Sequence, residues 1–183
     1  MVVSEFPRGH VLQLNRKSIT LGERGLPKYS APELVVTRQG VEGDHNVYRH
    51  EVVDDDPAMA VLILPAETLA QLRAEGWPVR AGDVGENITS VGLPYDEFAP
   101  GRQYRAGEVL LEITKPCTPC DNLYLLPYVG PARGPEFLRV MLGRRGWYAR
   151  VLEGGRLRVG DPIAREMPGA IGPPGRASVA PVR

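Results

Sequence analysis

The hydrophobic and polar positions along the chain favour short strands that are separated by glycine and proline. Residues 58–64 form a continuous apolar run, which is typical of a strand buried on both faces. Shorter runs bounded by glycine or proline predict further strands at 11–14, 33–37 and 109–114. Two more predicted strands flank a Glu-Gly-Gly turn and are expected to pair as a hairpin, namely 147–152 and 156–159.

Two helices are predicted beside these strands. The first follows a proline and runs over residues 67–75, where Leu69 and Leu72 share a face. The second runs over residues 136–142 and ends at a glycine. Because strands outnumber helices and do not alternate with them regularly, the pattern favours a mainly β fold. We expect a closed or half-closed β-barrel with a few short helices.

Length and composition place the chain among ordinary globular proteins. Its 183 residues suffice for one domain, expected over residues 1–166, and the Pro- and Gly-rich residues 167–183 are expected to form a flexible or extended tail. The 22 Lys and Arg residues balance 22 Asp and Glu residues, which argues against binding to nucleic acid or to a membrane surface. With two cysteines and no visible secretory signal, the protein is expected to be cytoplasmic with reduced thiols.

The clearest chemical signal is the sequence KPCTPCDN at residues 115–122, which follows a predicted strand. Cys117 and Cys120 are spaced so that both sulfurs can face one point. Three uses of the pair stay open: thiol–disulfide exchange, zinc binding together with His45 and His50, or one working thiolate that binds a soft metal or carries sulfur. A fourth alternative is that the cysteines only pack, as free cysteines often do.

The segment around residues 43–51 is dense in groups that bind anions, pass protons or hold metal. His45 and His50 would change charge near neutral pH, and Arg49 lies between them. The competing interpretation is a polar loop in which Asp44 caps a turn.

A glycine-rich turn over residues 82–85 supplies another candidate segment. Glu86 and Asn87 follow it and are expected either to orient a ligand or to pair with backbone groups of the turn. Lys28 is one of three lysines in the chain and follows a proline, so it would offer a point charge to a phosphate.

Taken in order, these segments resemble the MOSC domain, which is named for the C-terminal domain of molybdenum cofactor sulfurases. The resemblance extends over about residues 8 to 165. The matching pieces are GLPK at 25–28, EGDH at 42–45, GDVGENIT at 82–89, GEVLLEIT at 107–114, PC at 119–120, GWYARV at 146–151 and VGDP at 159–162. At residues 49–57 the chain departs from a His-Gly-Gly-Pro-Asp-Arg-like stretch of the family, which weakens the case for a phosphate contact there.

The resemblance implies a β-barrel of the pyruvate-kinase type and makes Cys120 the functional cysteine. In that role Cys120 would carry sulfur as a persulfide or bind the molybdenum of the pterin cofactor, with Cys117 assisting. Positive or proton-bearing groups toward the anionic phosphate would come from Lys28, His45, Arg49, His50 and Arg145. The other residues expected to contact the cofactor or shape its pocket are Gly43, Asp44, Gly85, Glu86, Asn87 and Asp121.

Two other functions stay open beside this one. The resemblance also permits a molybdenum-dependent reductase of N-hydroxylated compounds, which would take electrons from a partner protein. A zinc-stabilised binding module without catalysis is the alternative from another class. The expected partners are a small-molecule cofactor or substrate and a protein that donates sulfur or electrons. The 183 residues leave no room for a pyridoxal-phosphate desulfurase domain.

Overall fold

Seven strands close into a barrel in the computed structural model of the chain, which describes residues 7–18 and 24–166. In chain order the strands are β1 (Arg8–Arg16), β2 (Tyr29–Ala31), β3 (Glu33–Thr37), β4 (Gly40–Val41), β5 (Val61–Pro65), β6 (Ile88–Val91), β7 (Gln103–Ala106), β8 (Val109–Pro116), β9 (Trp147–Glu153), β10 (Gly155–Arg158) and β11 (Pro162–Glu166). The barrel order is β1-β11-β7-β8-β9-β5-β6 and back to β1. Only β5 and β6 in this ring run parallel. The predicted mainly β, closed barrel is confirmed, and the predicted tail at 167–183 lies outside the described residues.

The predicted hairpin between 147–152 and 156–159 is wrong. Strand β10 pairs with β3, with Leu157 opposite Leu34, and these two strands and β4 form a second, three-stranded sheet. Both leucines are buried in the barrel core, so this pairing removes more apolar surface from water than a solvent-facing hairpin would. The chain passes close to β3 at Gly154, where a Cβ would lie 2.6 Å from the Val36 carbonyl oxygen.

The described part of the chain has three α-helices outside the barrel: α1 (Val47–Glu51), α2 (Ala66–Ala74) and α3 (Gly130–Met141). Helix α2 agrees with the prediction, whereas α3 begins earlier than predicted and contains Pro135. Pro131 stands in its first turn, where a proline is favoured, and Gly134 lies directly against the Tyr124 ring with no space for a side chain. None of the helices in residues 7–18 and 24–166 has the length and apolar character needed to cross a membrane.

Strand β5 connects the two hydrophobic clusters of the molecule. Ile63 points into the barrel core, and its neighbour Leu64 joins a second cluster with Leu72 of α2 and Phe137 of α3. This placement confirms the prediction of a strand buried on both faces, although residues 57–59 form a 3-10 turn before it. The second cluster therefore packs α2 and α3 against β5, and it includes Leu123 and Leu126, which follow the cysteine motif.

Candidate functional site

The two cysteines lie where the chain leaves strand β8. The last residue pair of the β8–β9 ladder joins Pro116 to Trp147, and the Cys117 backbone N–H then donates to the Gly146 carbonyl at 2.8 Å. Cys120 directly precedes the 3-10 turn Asp121–Leu125. Cys117 is 2% exposed, whereas Cys120 is only partly buried. The sulfur that a ligand can reach is therefore that of Cys120.

A cavity of about 370 Å³ opens beside Cys120. Its walls carry three cationic side chains, Lys28, Lys115 and Arg145, and no carboxylate among the described residues. Other polar groups come from Asn46, Tyr48, Thr118, Asn122 and Tyr148. The apolar wall consists of Leu26, Met59, Leu62, Val84, Pro116 and Pro119. Such a cavity favours an anionic ligand with an apolar part.

Arg145 holds the Cys120 sulfur. Its Nη1 lies 3.1 Å from the Cys120 Sγ and also donates to the Thr118 carbonyl at 2.9 Å. Arg145 is 7% exposed, and its Nε is buried without an acceptor among the described residues. A guanidinium at this distance stabilises negative charge on sulfur, which is the nucleophilic and metal-binding form.

Cys117 has a different chemical environment. Burial raises the pKa of the Cys117 thiol, and the nearby Arg145 guanidinium only partly opposes this. Burial also raises the pKa of the Tyr148 hydroxyl, which contacts Cys117. Cys117 is thus kept as a buried, neutral thiol, and Cys120 is the thiol of the pair that an external group can reach.

Lys28 is fixed by a buried network behind the cavity wall. Its Nζ lies 2.5 Å from the Asp44 Oδ2, and the two side chains are 2% and 9% exposed. The Asn87 Nδ2 donates to the same carboxylate oxygen at 2.9 Å, and the Lys17 backbone N–H donates to the other at 2.8 Å. The Asn87 Oδ1 in turn accepts from the backbone N–H of Leu62, a cavity residue, at 3.2 Å. Asp44 and Asn87 therefore position the ammonium group and do not line the cavity themselves.

Glu86 belongs to the turn that supports this network. It is fully buried, and its Oε1 accepts from the Gly82 backbone N–H at 2.6 Å and from the Thr89 hydroxyl at 3.0 Å. Its neighbour Gly85 lines the cavity with φ +94°, and a Cβ there would lie 2.6 Å from a Leu26 methyl carbon. Burial raises the pKa of Glu86 from 4.5 to about 7.

This shift makes folding stability depend on pH. Between pH 4.5 and about 7 the folded state holds a proton on Glu86 that the unfolded state has lost, so stability falls as pH rises, by about 3 kcal/mol in total. We expect Glu86→Gln to remove this slope in urea unfolding measured below and above the window. Glu112→Gln, at the barrel surface, should keep the wild-type slope. An unchanged slope in Glu86→Gln would show that Glu86 is not the titrating group.

The segment around residues 43–51 reaches the cavity only through Asn46 and Tyr48. The rings of His45 and His50 stack with centroids 5.5 Å apart, and the His50 Nδ1 pairs with Asp55. Arg49 is buried and donates to the carbonyls of Gln39, Asp55 and Asp56. Three of the predicted ligand-binding side chains, those of His45, Arg49 and His50, therefore lie outside the cavity wall.

Two further residues that were predicted to contact the cofactor do not line the cavity. Gly43 and Asp121 are exposed and are not part of the cavity lining. The predicted zinc ligands, the two cysteines and His45 with His50, do not form a common group. Throughout residues 7–18 and 24–166, no cluster of three or more His, Cys, Asp and Glu side chains is arranged to hold a metal.

Several residues that line the cavity were not among the site residues predicted from the sequence. Lys115 is one of three lysines in the chain and lies beside the cysteine motif. The rarity of lysine could therefore have pointed to it as a residue of the cavity. Tyr148 and Met59 carry no such signal. Tyr148 faces the cavity because of the register between β8 and β9, in which Lys115 lies opposite Tyr148.

Comparison with known proteins agrees with the earlier resemblance. A family model described as the MOSC domain matches residues 48–164. Protein YiiM of Escherichia coli (strain K12) is 28% identical over 136 residues, which cover 72% of this chain and 58% of that protein. The uncharacterised protein YflK of Bacillus subtilis (strain 168) is 30% identical over 156 residues, which cover 81% of this chain and 65% of that protein. The chain thus spans less than two thirds of the length of both relatives.

Solved structures of MOSC-family proteins have the same fold as this chain. The crystal structure of YiiM from Geobacillus stearothermophilus matches with a TM-score of 0.65 at 26% identity, over 88% of this chain and 77% of that chain. The YUAD protein of Bacillus subtilis matches with a TM-score of 0.71 at 19% identity, over 85% of this chain and 94% of that chain, and this likeness shows the fold alone. The family model covers more than half of the sequence, so the chain belongs to the MOSC domain family, which is associated with the molybdenum cofactor at the level of the family.

Proposed function

We propose that this protein binds the molybdenum cofactor, or carries sulfur destined for it, through the thiolate of Cys120. The observation that supports the proposal is the position of this sulfur. It faces a cavity lined by three cationic side chains and lies 3.1 Å from the Arg145 guanidinium. The family association supports the same class of ligand.

The side chains that line the cavity are chemically suited to bind the molybdenum cofactor. A thiolate is a soft ligand that suits a sulfur-binding metal, and lysine and arginine suit the phosphate of a pterin cofactor. When bound, the cofactor would supply two-electron redox or sulfur chemistry at its molybdenum.

The residues that line the cavity would then have separate roles in binding the ligand. Cys120 binds the metal or holds the carried sulfur, and the Arg145 guanidinium orients that sulfur through its 3.1 Å contact. Lys28 and Lys115 attract the anionic end of the ligand, and Asp44 prevents the Lys28 ammonium from moving. Apolar side chains such as Leu62 and Met59 exclude water from the rest of the cavity wall.

Some of the predicted residues do not enter this site. Arg49, His45 and His50 are held by other parts of the protein, so the proposal assigns them no ligand contact. Cys117 is buried and is not assigned to bind metal. Partner proteins that donate sulfur or electrons are part of the proposal, and a reductase of N-hydroxylated compounds would use this same cavity.

The proposal is tested by the content of the purified protein. Wild-type protein and Cys120→Ser are produced in a host that makes the molybdenum cofactor, and molybdenum, zinc and sulfane sulfur are measured per chain. We expect wild type to retain molybdenum or sulfane sulfur and Cys120→Ser to lose at least about nine tenths of it, because removal of a metal ligand or nucleophile removes its bond. Circular dichroism should show the same fold in both. Equal loading of the two proteins, or zinc alone in both, would contradict the proposal.

A further inference from the structure

Lys115 reaches the cavity because of an irregularity at the end of β8. In a regular strand, residues two positions apart point to the same face, and Ile113 points into the barrel core. The register between β8 and β9 shifts between Ile113 and Lys115, so the lysine turns away from the core and lines the cavity instead. The hydroxyl of Thr114 lies 2.5 Å from the Ala58 carbonyl and 3.1 Å from the Tyr148 carbonyl. These contacts fix the backbone from which the lysine projects.

The three cationic side chains that the described residues place on the cavity wall differ in how far their charges are already used. Lys28 is buried in an ion pair of 2.5 Å, and the Arg145 guanidinium contacts the Cys120 sulfur at 3.1 Å. Lys115 is 47% exposed, and its Nζ lies 3.3 Å from the Asp56 Oδ2 in contact with solvent. An exposed ion pair contributes at most about 1 kcal/mol, whereas breaking a buried pair costs about 3–5 kcal/mol. Lys115 is therefore the cation that can change its partner at little cost.

Asp56 stays in place when Lys115 leaves it. Its Oδ1 accepts from the Ala58 backbone N–H at 2.9 Å and caps the 3-10 turn Pro57–Met59, while its Oδ2 faces the lysine. The hydrogen bond from Ala58 also lowers the pKa of Asp56, so the carboxylate remains ionised at neutral pH. Because Asp56 is fixed and the lysine side chain is flexible, an anion in the cavity would compete with Asp56 for the same ammonium group.

We propose that Lys115 binds the anionic end of the cavity ligand directly and that Asp56 competes with the ligand for this lysine. The inference rests on the proposed anionic ligand and adds which cation selects it. Lys28 remains bonded to Asp44, and Arg145 remains on the Cys120 sulfur. A ligand with a carboxylate or phosphate group replaces Asp56 on Lys115, whereas a neutral analogue leaves that ion pair unbroken and gains nothing from it.

The test compares two alkylating reagents that differ in charge, on the reduced full-length protein. Iodoacetate carries a carboxylate, and iodoacetamide is its neutral counterpart. With both reagents the Cys120 thiolate attacks the methylene carbon, a C–S bond forms and iodide leaves. The two rates at Cys120 are measured by mass spectrometry, and their ratio in the native protein is compared with the ratio in urea at the same ionic strength. A change in the fraction of thiolate affects both reagents equally, so the ratio reports the attraction of the anionic reagent.

The chain offers a matched pair of control variants. Lys115→Met removes the ammonium group, and Asp56→Asn removes the competing charge while its side-chain oxygen can still cap the turn. Arg150 and Glu112 form a similar ion pair of 3.7 Å on strands β9 and β8, and neither residue lines the cavity. Arg150→Met and Glu112→Gln therefore make the same changes of charge away from the ligand.

We expect the ratio of iodoacetate to iodoacetamide rates to be higher in native wild type than in urea. It should fall roughly three- to tenfold in Lys115→Met and rise by a similar factor in Asp56→Asn, with both controls close to wild type. An unchanged ratio in Lys115→Met, or an equal fall in Arg150→Met, would overturn this inference and leave an anion-attracting cavity intact. A native wild-type ratio no higher than the ratio in urea would overturn both this inference and the anionic ligand of the proposed function.

Discussion

Replacement of Asp44 with alanine is expected to lower the free energy of unfolding by about 3–5 kcal/mol. The Lys28 ammonium would remain buried at 2% exposure without its carboxylate partner, and the backbone N–H of Lys17 and the Asn87 amide would lose their acceptor. A buried charge without a counter-charge is among the most destabilising changes that one substitution makes. Urea unfolding followed by circular dichroism measures the difference.

The chain offers an exposed ion pair as the matched control. Lys115 lies 3.3 Å from Asp56, but both side chains are well exposed, at 47% and 31%. Lys115→Met should therefore change the free energy of unfolding by less than about 1 kcal/mol. The double variant Lys28→Met with Asp44→Asn should recover most of the stability that Asp44→Ala loses, because it removes both charges together. A loss below about 1 kcal/mol in Asp44→Ala would show that the pair is solvated and does not fix Lys28.

The second large effect concerns the reactivity of the two cysteines. We expect iodoacetamide to modify Cys120 roughly a thousandfold faster than Cys117 in the native protein, because access to Cys117 requires an opening that costs several kcal/mol. Cys120 is partly exposed at the cavity and lies beside the Arg145 guanidinium, whereas Cys117 is 2% exposed with a pKa raised by burial. Mass analysis of the two cysteine residues after timed alkylation measures the ratio.

Two comparisons make this prediction specific. In urea the two cysteines should react at similar rates, since unfolding removes the difference in burial. Arg145→Met should slow Cys120 in the native protein, while Arg144→Met should not, because Arg144 pairs with Glu75 away from the sulfur. Similar native rates for Cys117 and Cys120 would contradict the assignment of Cys120 as the single working thiol.

The predictions from sequence succeeded where a feature depends on local pattern. The apolar run at 58–64 led to strand β5, and the proline and glycine around 67–75 led to helix α2. The predicted hairpin was wrong because strand pairing depends on residues that are distant in sequence. Leu157 lies opposite Leu34, and this pairing buries more apolar surface than a hairpin with β9 would. Periodicity describes the burial of a segment, but it does not identify the strand with which that segment pairs.

The same distinction applies to the candidate site. Cys120, Lys28 and Arg145 all line the cavity, and each belonged to the residues that the family resemblance singled out. The resemblance also pointed to Arg49, but its guanidinium donates hydrogen bonds to backbone carbonyls such as that of Gln39. Because every residue has a backbone carbonyl, such a partner cannot be predicted from the sequence. Tyr148 was missed because only the strand register brings it to the cavity.

The central claim is that the cavity ligand is attached to the Cys120 sulfur. The most direct measurement is alkylation and mass analysis of the Cys120 peptide from protein purified from a cofactor-producing host, before and after treatment with cyanide and a thiol reductant. We expect Cys120 to be protected from alkylation, or to carry additional sulfur, before treatment and to be alkylated fully afterwards. A Cys120 that alkylates fully while molybdenum or sulfane sulfur is still bound to the protein would contradict the account.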